Sequence, residues 1–433
     1  MNGLNGRAVL VVLLSAAPAF AQTSGAPSDY LNQYLPQWLQ FSGEARVRYE
    51  GFTGSGFQPS AEDDHLLTRF RLNVKVRPWS HLTLFAQGQD ARVFFTDIKP
   101  IPSNYQDTFD LRIGYAELGD SEQDPISIRA GRQELNFGEQ RLIGYNSWRN
   151  TAQSFDAVRL ILHFGWARID MFVSAPVTIQ DRFNRPVPGN NLHGAYGTMA
   201  SRRHHFTVEP YLIWRLSPAW RVESGGFGRL SVPYIGAHLF GKKGDAWDYD
   251  VEVATENGSS GPDSIHAWAG HWRAGYTSSV RVPIRWLAEY NYASGDKYPD
   301  DGRQGGFTAP YPSVHDRYGL ADQVGWKNIH HIRTGAEIHV SRRWMIVPNI
   351  HNYWLASRTD GLFTPSNVQL ARVETGARSN RVGWEADLST VWKINSLLEA
   401  GFGFAHLFPG AFLREATPGV PYNYGYCLLN YRF

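Results

Sequence analysis

Apolar and polar residues alternate along most of this chain, and residues 66–77 show the alternation most cleanly. Leu66, Thr68, Phe70, Leu72, Val74 and Val76 fall on one parity, and Arg69, Arg71, Asn73, Lys75 and Arg77 on the other. A β-strand points successive side chains to opposite faces, so only a strand separates these sets. One face suits lipid, while the other carries a row of cations. Like-facing residues repeat about every 6.8 Å, so neighbouring cations repel by about 0.6 kcal/mol in water and more in a lower dielectric. The row therefore needs water, counter-carboxylates or an anionic passenger.

The same pattern recurs at 44–50, 109–116, 166–173 and 382–389, separated by Gly, Pro, Asn and Asp clusters. Segments 192–200 and 267–277 carry it weakly. About 18 such segments predict an all-β, antiparallel transmembrane β-barrel, closed and wide enough for an aqueous channel. Arg77-Pro78-Trp79-Ser80 and Ser217-Pro218-Ala219-Trp220 read as tight periplasmic turns. Longer polar stretches near 51–64, 92–107, 136–154, 180–191, 256–266, 294–328 and 357–379 read as outer loops, able to occlude a mouth. No fixed-period repeat points to a solenoid or propeller.

The N-terminus supports export. Arg7, the apolar run Ala8 to Leu14 and Ala19-Phe20-Ala21 read as a cleaved signal peptide over 1–21. A short periplasmic segment over 22–40 and a barrel over 41–433 follow. No stretch offers the ~20 apolar residues of a membrane helix. Mean hydropathy is −0.36, as befits strands that are half apolar. Aromatic residues make up 14%, enough for two interfacial girdles. Cys427 is the single cysteine, so no internal disulfide forms.

Charge narrows the picture differently. The formal net charge is only +2, and no basic tail points to nucleic acid. Yet 35 of the 42 cations are arginine, whose planar fork binds carboxylates bidentately; codon bias is the bland explanation. Parity places Arg46, Arg48, Arg69, Arg71, Lys75, Arg77, Arg112 and Arg168 as candidate pore-lining residues.

At the C-terminus, Cys427, Leu429, Tyr431 and Phe433 share one parity, and a last strand ending on an aromatic residue resembles a barrel-insertion signal. Residues 129–160, RAGRQELNFGEQRLIGYNSWRNTAQSFDAVRL, resemble the motif region of the alginate-export family of outer-membrane barrels. YNYASGDKYPDDGRQGGF through HDRYGLADQVGWKNIHHIR at 290–333 strengthens the likeness, as does the ending from Phe402 to Phe433. The resemblance implies a monomeric 18-stranded barrel in the bacterial outer membrane, with an arginine-rich lumen for a polyanionic polysaccharide such as alginate. Carried over residue by residue, it adds Arg129, Arg132, Glu134, Arg141, Arg149, Asp156 and Arg159 to the candidate lining. Arginines along a pore would bind uronate carboxylates, and the interleaved acids would orient them. The alternative is a salt-bridge lattice that holds strands in register.

Parity raises a conflict: Arg129 and Arg132 cannot share a face of a regular strand, so one lies past the strand or Gly131 sits in a bulge; Asp156 and Arg159 conflict likewise, which puts Asp156 at its strand's end. Asp296, Asp300 and Asp301 form a weak Ca²⁺ candidate, although an Asp-rich turn explains them without a metal. The adjacent pairs His204-His205 and His330-His331 would point to opposite faces and chelate poorly. Trp286, Tyr290 and Tyr292 read as lipid-facing girdle or a sugar-stacking track. No G-x-S-x-G motif appears, and Gly258-Ser259-Ser260-Gly261 has the wrong spacing, so the expectation is a non-enzymatic pore without cofactors. Expected partners are an anionic polysaccharide or smaller anionic solute, outer-membrane lipid, lipopolysaccharide and possible periplasmic secretion proteins. Two alternatives stand beside passive polysaccharide passage: an uptake porin for small organic anions or oligosaccharides, and a barrel hydrolase of lipid or glycan.

Overall fold

The computed structural model describes residues 25–433 except 181–182, 202–204 and 279–281. The signal-peptide expectation and His204 lie outside the described residues. Eighteen long antiparallel strands follow a short helix, α1 (Pro27–Asn32). They are β1 (Leu39–Thr53), β2 (Glu62–Trp79), β3 (Leu82–Phe94), β4 (Asp107–Leu118), β5 (Ile126–Gln133) and β6 (Phe155–Phe164). Next come β7 (Ala167–Thr178), β8 (Asn191–Ser201), β9 (Phe206–Arg221), β10 (Phe227–Lys243), β11 (Trp247–Ser260) and β12 (Asp263–Ser278). The last six are β13 (Ile284–Ala293), β14 (Ile329–Ser341), β15 (Trp344–Leu355), β16 (Arg381–Lys393), β17 (Leu398–Pro409) and β18 (Tyr422–Arg432).

Each strand pairs with its neighbour in sequence, and β1 pairs with β18 from Glu44 opposite Arg432 to Thr53 opposite Asn423. The sheet therefore closes without an edge. Phe433 adds to the seam, since Gly43 and Phe433 exchange backbone hydrogen bonds of 2.6 and 3.0 Å. The 66–77 row behaves as its pattern predicts: Phe70 and Leu72 are exposed on the outer face, while Arg69 and Arg71 are buried inside. Trp286 and Tyr290 also face out, consistent with girdle. Cys427 is exposed on the same outward parity as Leu429. Both weakly patterned segments are full strands, β8 and β12.

Connections at one end run from two to seven residues, such as 80–81 and 119–125, and mark the periplasmic end. The opposite end carries 95–106, 134–154, 294–328 and 356–380. Two expectations fail there. Ser217-Pro218-Ala219-Trp220 is no periplasmic turn; it lies in β9 at the outer end, where the register slips between Ser217 and Trp220 and accommodates the proline that cannot donate. The stretch 256–266 is no long loop, because β11 and β12 extend through it to a two-residue turn at 261–262. A hairpin tip above the lipid needs no apolar face, so its polar sequence reads as loop. The 410–421 connection was not anticipated; it holds α2 (Ala411–Ala416), whose Phe412 and Leu413 are buried.

That burial reveals where the core lies. Leu135, Phe137, Leu142 and Ile143 from 134–154 join Phe307, Leu320 and Trp326 from 294–328, Leu362 from 356–380 and Phe412 in one apolar cluster with inward wall residues. Ile143 forms an isolated bridge with Tyr311, so the two connections are stitched together. The outer loops thus fold into the barrel and give it an interior.

Two local devices resolve the parity conflicts. Gly131 has φ +123°, and a Cβ there would lie 2.3 Å from the Gly114 carbonyl oxygen, so only glycine fits this close strand approach. The ladder stays in register through it, leaving Arg129 inward and Arg132 on the opposite parity. In β4 the register slips opposite Gln87 and Gly88. This bulge turns Arg112 inward beside Ile113, Tyr115 and Glu117.

Candidate functional site

One wall of the lumen, β1 to β6, is built from arginines. Arg48 Nε lies 2.7 Å from Glu50, and Arg69 Nη2 lies 2.5 Å from Glu44 on the facing strand. Arg112 pairs with Glu134, Arg129 with Glu117, and Arg159 with Asp170 at 2.6 Å. Arg168 shares that same Asp170 at 2.8 Å. These are the pairs of a salt-bridge lattice. Arg71 differs: its Nε donates to Gln89 at 2.8 Å, its buried Nη2 has no partner among the described residues, and no carboxylate lies within bonding range. Lys75 continues the row toward the periplasm, and Arg77 reaches Thr83 and, more loosely, Asp120.

The facing wall has opposite chemistry, which residue-by-residue reading missed. Tyr196 donates to Glu209 at 2.7 Å, and Glu209 lies 2.9 Å from His238. His238 lies 3.0 Å from Asp250, which is 3.2 Å from His271. His271, Asn291, His331 and His351 follow at 2.7, 2.9 and 2.8 Å, and His351 ends 2.8 Å from Asp387. A ladder of imidazoles, amides and carboxylates therefore crosses β8 to β16. His331 belongs to it, while His330 points out to the Tyr290 hydroxyl, so the pair does split between faces. Single members look like ordinary core polar residues in sequence; only the register aligns them.

The 134–154 connection crosses the lumen between these walls with matching polarity. Its Ser147 and Trp148 carbonyls accept from Arg46 at 2.9 and 3.2 Å, Ser147 also accepts from Arg69 at 2.9 Å, and Trp148 accepts from Arg48 at 2.5 Å. Asn150 donates to the Thr68, Arg92 and Tyr105 carbonyls. At the other wall, the fully buried Arg141 reaches Glu289 and His271 at 3.2 Å, Glu139 at 3.4 Å and the Tyr318 hydroxyl at 3.3 Å. Trp148 stacks on His315 at 3.7 Å, joining this bar to 294–328. The arginine wall therefore binds a loop backbone as well as facing the channel.

Below the bar, Gln87, Arg112, Tyr115, Arg129, Glu134 and Arg159 line an inner chamber of about 310 Å³. Four residues carried over with them stand elsewhere: Arg132, Arg141, Arg149 and Asp156. Arg132 and Asp156 pair at 2.8 Å on the outward parity near the rim, where Arg132 also donates to the Asn184 carbonyl at 2.9 Å. Gly131 and the alternation of β6 put them there, away from the chamber. Arg149 donates to Ser366 at 3.0 Å on the outer side of the bar. Arg215 in β9 and Lys327 in 294–328, which motif reading left out, lie near it.

Metal chemistry finds little support. Asp296, Asp300 and Asp301 do not gather: Asp296 accepts from the Tyr298 amide at 3.2 Å and Asp301 from the Arg303 amide at 2.8 Å, as in turns. Glu139, Asp250 and His271 do converge, yet Arg273 reaches Glu139 at 2.7 Å and Asp250 at 3.3 Å, and Arg141 also contacts Glu139. Guanidinium groups already supply the charge that a cation would bring.

Asp296 carries a pH-sensitive contact in an outer loop. Burial, together with Glu223 and Asp360 beside it, pushes its carboxyl up to about 7 from an ordinary 3.8. The folded loop then holds a proton that the opened loop has shed, so the contact weakens as pH rises through this window. Protection factors at 294–302, which divide out the base-catalysed rise in intrinsic exchange, are expected to be lower at pH 8 than at pH 6; equal or higher protection at pH 8 would refute the raised Asp296 carboxyl.

Comparison with known proteins places this architecture. The family described as alginate export matches residues 37–425. The chain belongs to the alginate-export family. Among solved structures of Pseudomonas aeruginosa proteins, OccK11 (OpdR) is similar at TM-score 0.63 and 13% identity, covering 91% of this chain and 96% of that one. OccK2 (OpdF) in complex with glucuronate gives 0.61 and 9%, covering 91% and 96%. OpdK with vanillate gives 0.61 and 11%, covering 91% and 98%. At these identities the likeness concerns the fold. No curated protein matches the chain. This alginate-export family member is an outer-membrane β-barrel pore of the bacterial outer membrane.

Proposed function

We propose that this barrel passively passes carboxylated saccharides, uronate polymers or their fragments, using its arginine wall to draw the anion through. The observation that carries this reading is the asymmetric lumen: six arginines of β1, β2, β4 and β6 are buried on its inner face. Charge focused in a narrow, low-dielectric opening attracts anions over distance, and bidentate arginines favour carboxylates. Paired acids such as Glu44 and Glu117 keep the grip weak enough for release.

A second reading, uptake of small organic anions, is favoured by the bar across the lumen. A chamber of about 310 Å³ suits one or two rings, and a long chain would need 134–154 to withdraw. OccK2 and OpdK, solved with glucuronate and vanillate, encourage this reading. Neither reading requires catalysis. Current through single barrels in a planar bilayer separates cargo classes: a short oligouronate should block it at concentrations where a neutral gluco-oligosaccharide of equal length does not. Equal block by both would reject carboxylate recognition.

A further inference from the structure

The outer side of the bar holds a second cavity, of about 400 Å³, enclosed by β9 and the connections 134–154, 294–328 and 356–380. We propose that it is a binding subsite for a single sugar acid, a hydroxylated ring carrying one carboxylate. The proposal rests on the pore reading, because the cavity lies on the route between the outer mouth and the bar.

Its lining contains Arg149, Arg215 and Lys327 and no Asp or Glu. Their nearest polar partners are neutral: Arg149 donates to Ser366 at 3.0 Å and Lys327 to Thr308 at 3.1 Å. The carboxylates that act on them from farther away are engaged elsewhere. Asp322 lies 2.8 Å from His315, and Glu256 accepts from the Thr308 amide at 2.7 Å and from Tyr234 at 3.2 Å. This differs from the arginine wall, where most guanidinium groups meet a carboxylate.

Unmet hydrogen bonds point the same way. Asn146 is 1% exposed, and neither its amide oxygen nor its amide nitrogen has a partner among the described residues. Arg215 is 8% exposed with its Nε unmet, and the Tyr311 hydroxyl is unmet too. Buried polar groups are ordinarily paired, so these four groups ask for a ligand with both donors and acceptors. Sugar hydroxyls meet Asn146 and Tyr311, and a carboxylate meets the cations. The Arg215 guanidinium lies over the Trp220 and Tyr311 rings, 4.3 Å and 5.1 Å from their centroids, and these cation–π contacts hold it at the cavity wall. A simple inorganic anion would satisfy the cations and leave the amide unmet.

Calorimetry on the purified, detergent-folded barrel with sodium glucuronate as probe tests this. Wild type should bind glucuronate saturably and at least tenfold more tightly than glucose. Arg215→Gln and Lys327→Met should each weaken glucuronate binding about tenfold, as expected for loss of one charged hydrogen bond, and Arg215→Lys should restore part of it. No saturable binding to wild type, equal binding of glucose, or undiminished binding in both charge-removing variants would overturn the subsite. If a variant fails to fold, the wild-type comparison of glucuronate with glucose still decides. Failure of the pore reading would look different: wild-type barrels in a bilayer would show no preference for anions.

Discussion

Replacing Arg141 with leucine is expected to loosen the bar across the lumen and raise single-channel conductance. Arg141 is buried against Glu289, His271, Glu139 and Tyr318, and together with the Glu139–Arg273 pair it fastens 134–154 to the acidic wall. Breaking a buried ion pair by removing one partner costs about 3–5 kcal/mol. Arg333, 3.6 Å from Glu289, and Asn291, which donates to it at 2.8 Å, keep the lower end of that range appropriate. About 3 kcal/mol shifts a closed-to-open ratio by roughly a hundredfold, enough to turn a rare withdrawal of the bar into a common state. The Arg46, Arg48 and Arg69 anchors at Ser147 and Trp148 remain, so one end should swing while the other holds. Larger and noisier current steps are the expected signature; conductance identical to wild type would mean that Arg141 does not close the channel.

The second large effect concerns selectivity, and it separates arginines that look alike in sequence. Arg71→Gln removes a cation with no carboxylate partner, whereas the double change Arg69→Gln with Glu44→Gln removes a neutralised pair. A unit charge about 6 Å from a passing ion is worth roughly 0.7 kcal/mol in water and about 2.8 kcal/mol at an effective dielectric of 20. The single variant should therefore lose much of its anion preference, while the double variant keeps it. Reversal potentials under a salt gradient measure both. Equal loss in the two variants would show that pairing does not decide which arginines select.

Much of the barrel is legible in the sequence. The alternation at 66–77 placed Phe70 and Leu72 outside and Arg69 and Arg71 inside, because a strand's two-residue period leaves no other choice. Glu44 could be anticipated opposite that row from the order of the strands. What alternation cannot carry is register and loop placement. Arg112 turns inward through a slip at Gln87 and Gly88, and Arg132 departs from Arg129 because β5 stays regular through Gly131. The ladder from Glu209 to Asp387 draws members from eight strands, so no local motif announces it. Arg141 and Arg149 were found only through family resemblance, since loop residues have no period. Arg215 and Lys327 went unnoticed because their common cavity exists only once the outer loops fold inward.

The most direct test of the account is the reversal potential of wild-type barrels in a planar bilayer across a KCl gradient. An arginine wall that draws anionic cargo predicts a potential displaced toward the chloride equilibrium value, and further displaced at low ionic strength, where screening fades. A potential at zero, or displaced toward the potassium value, would contradict it.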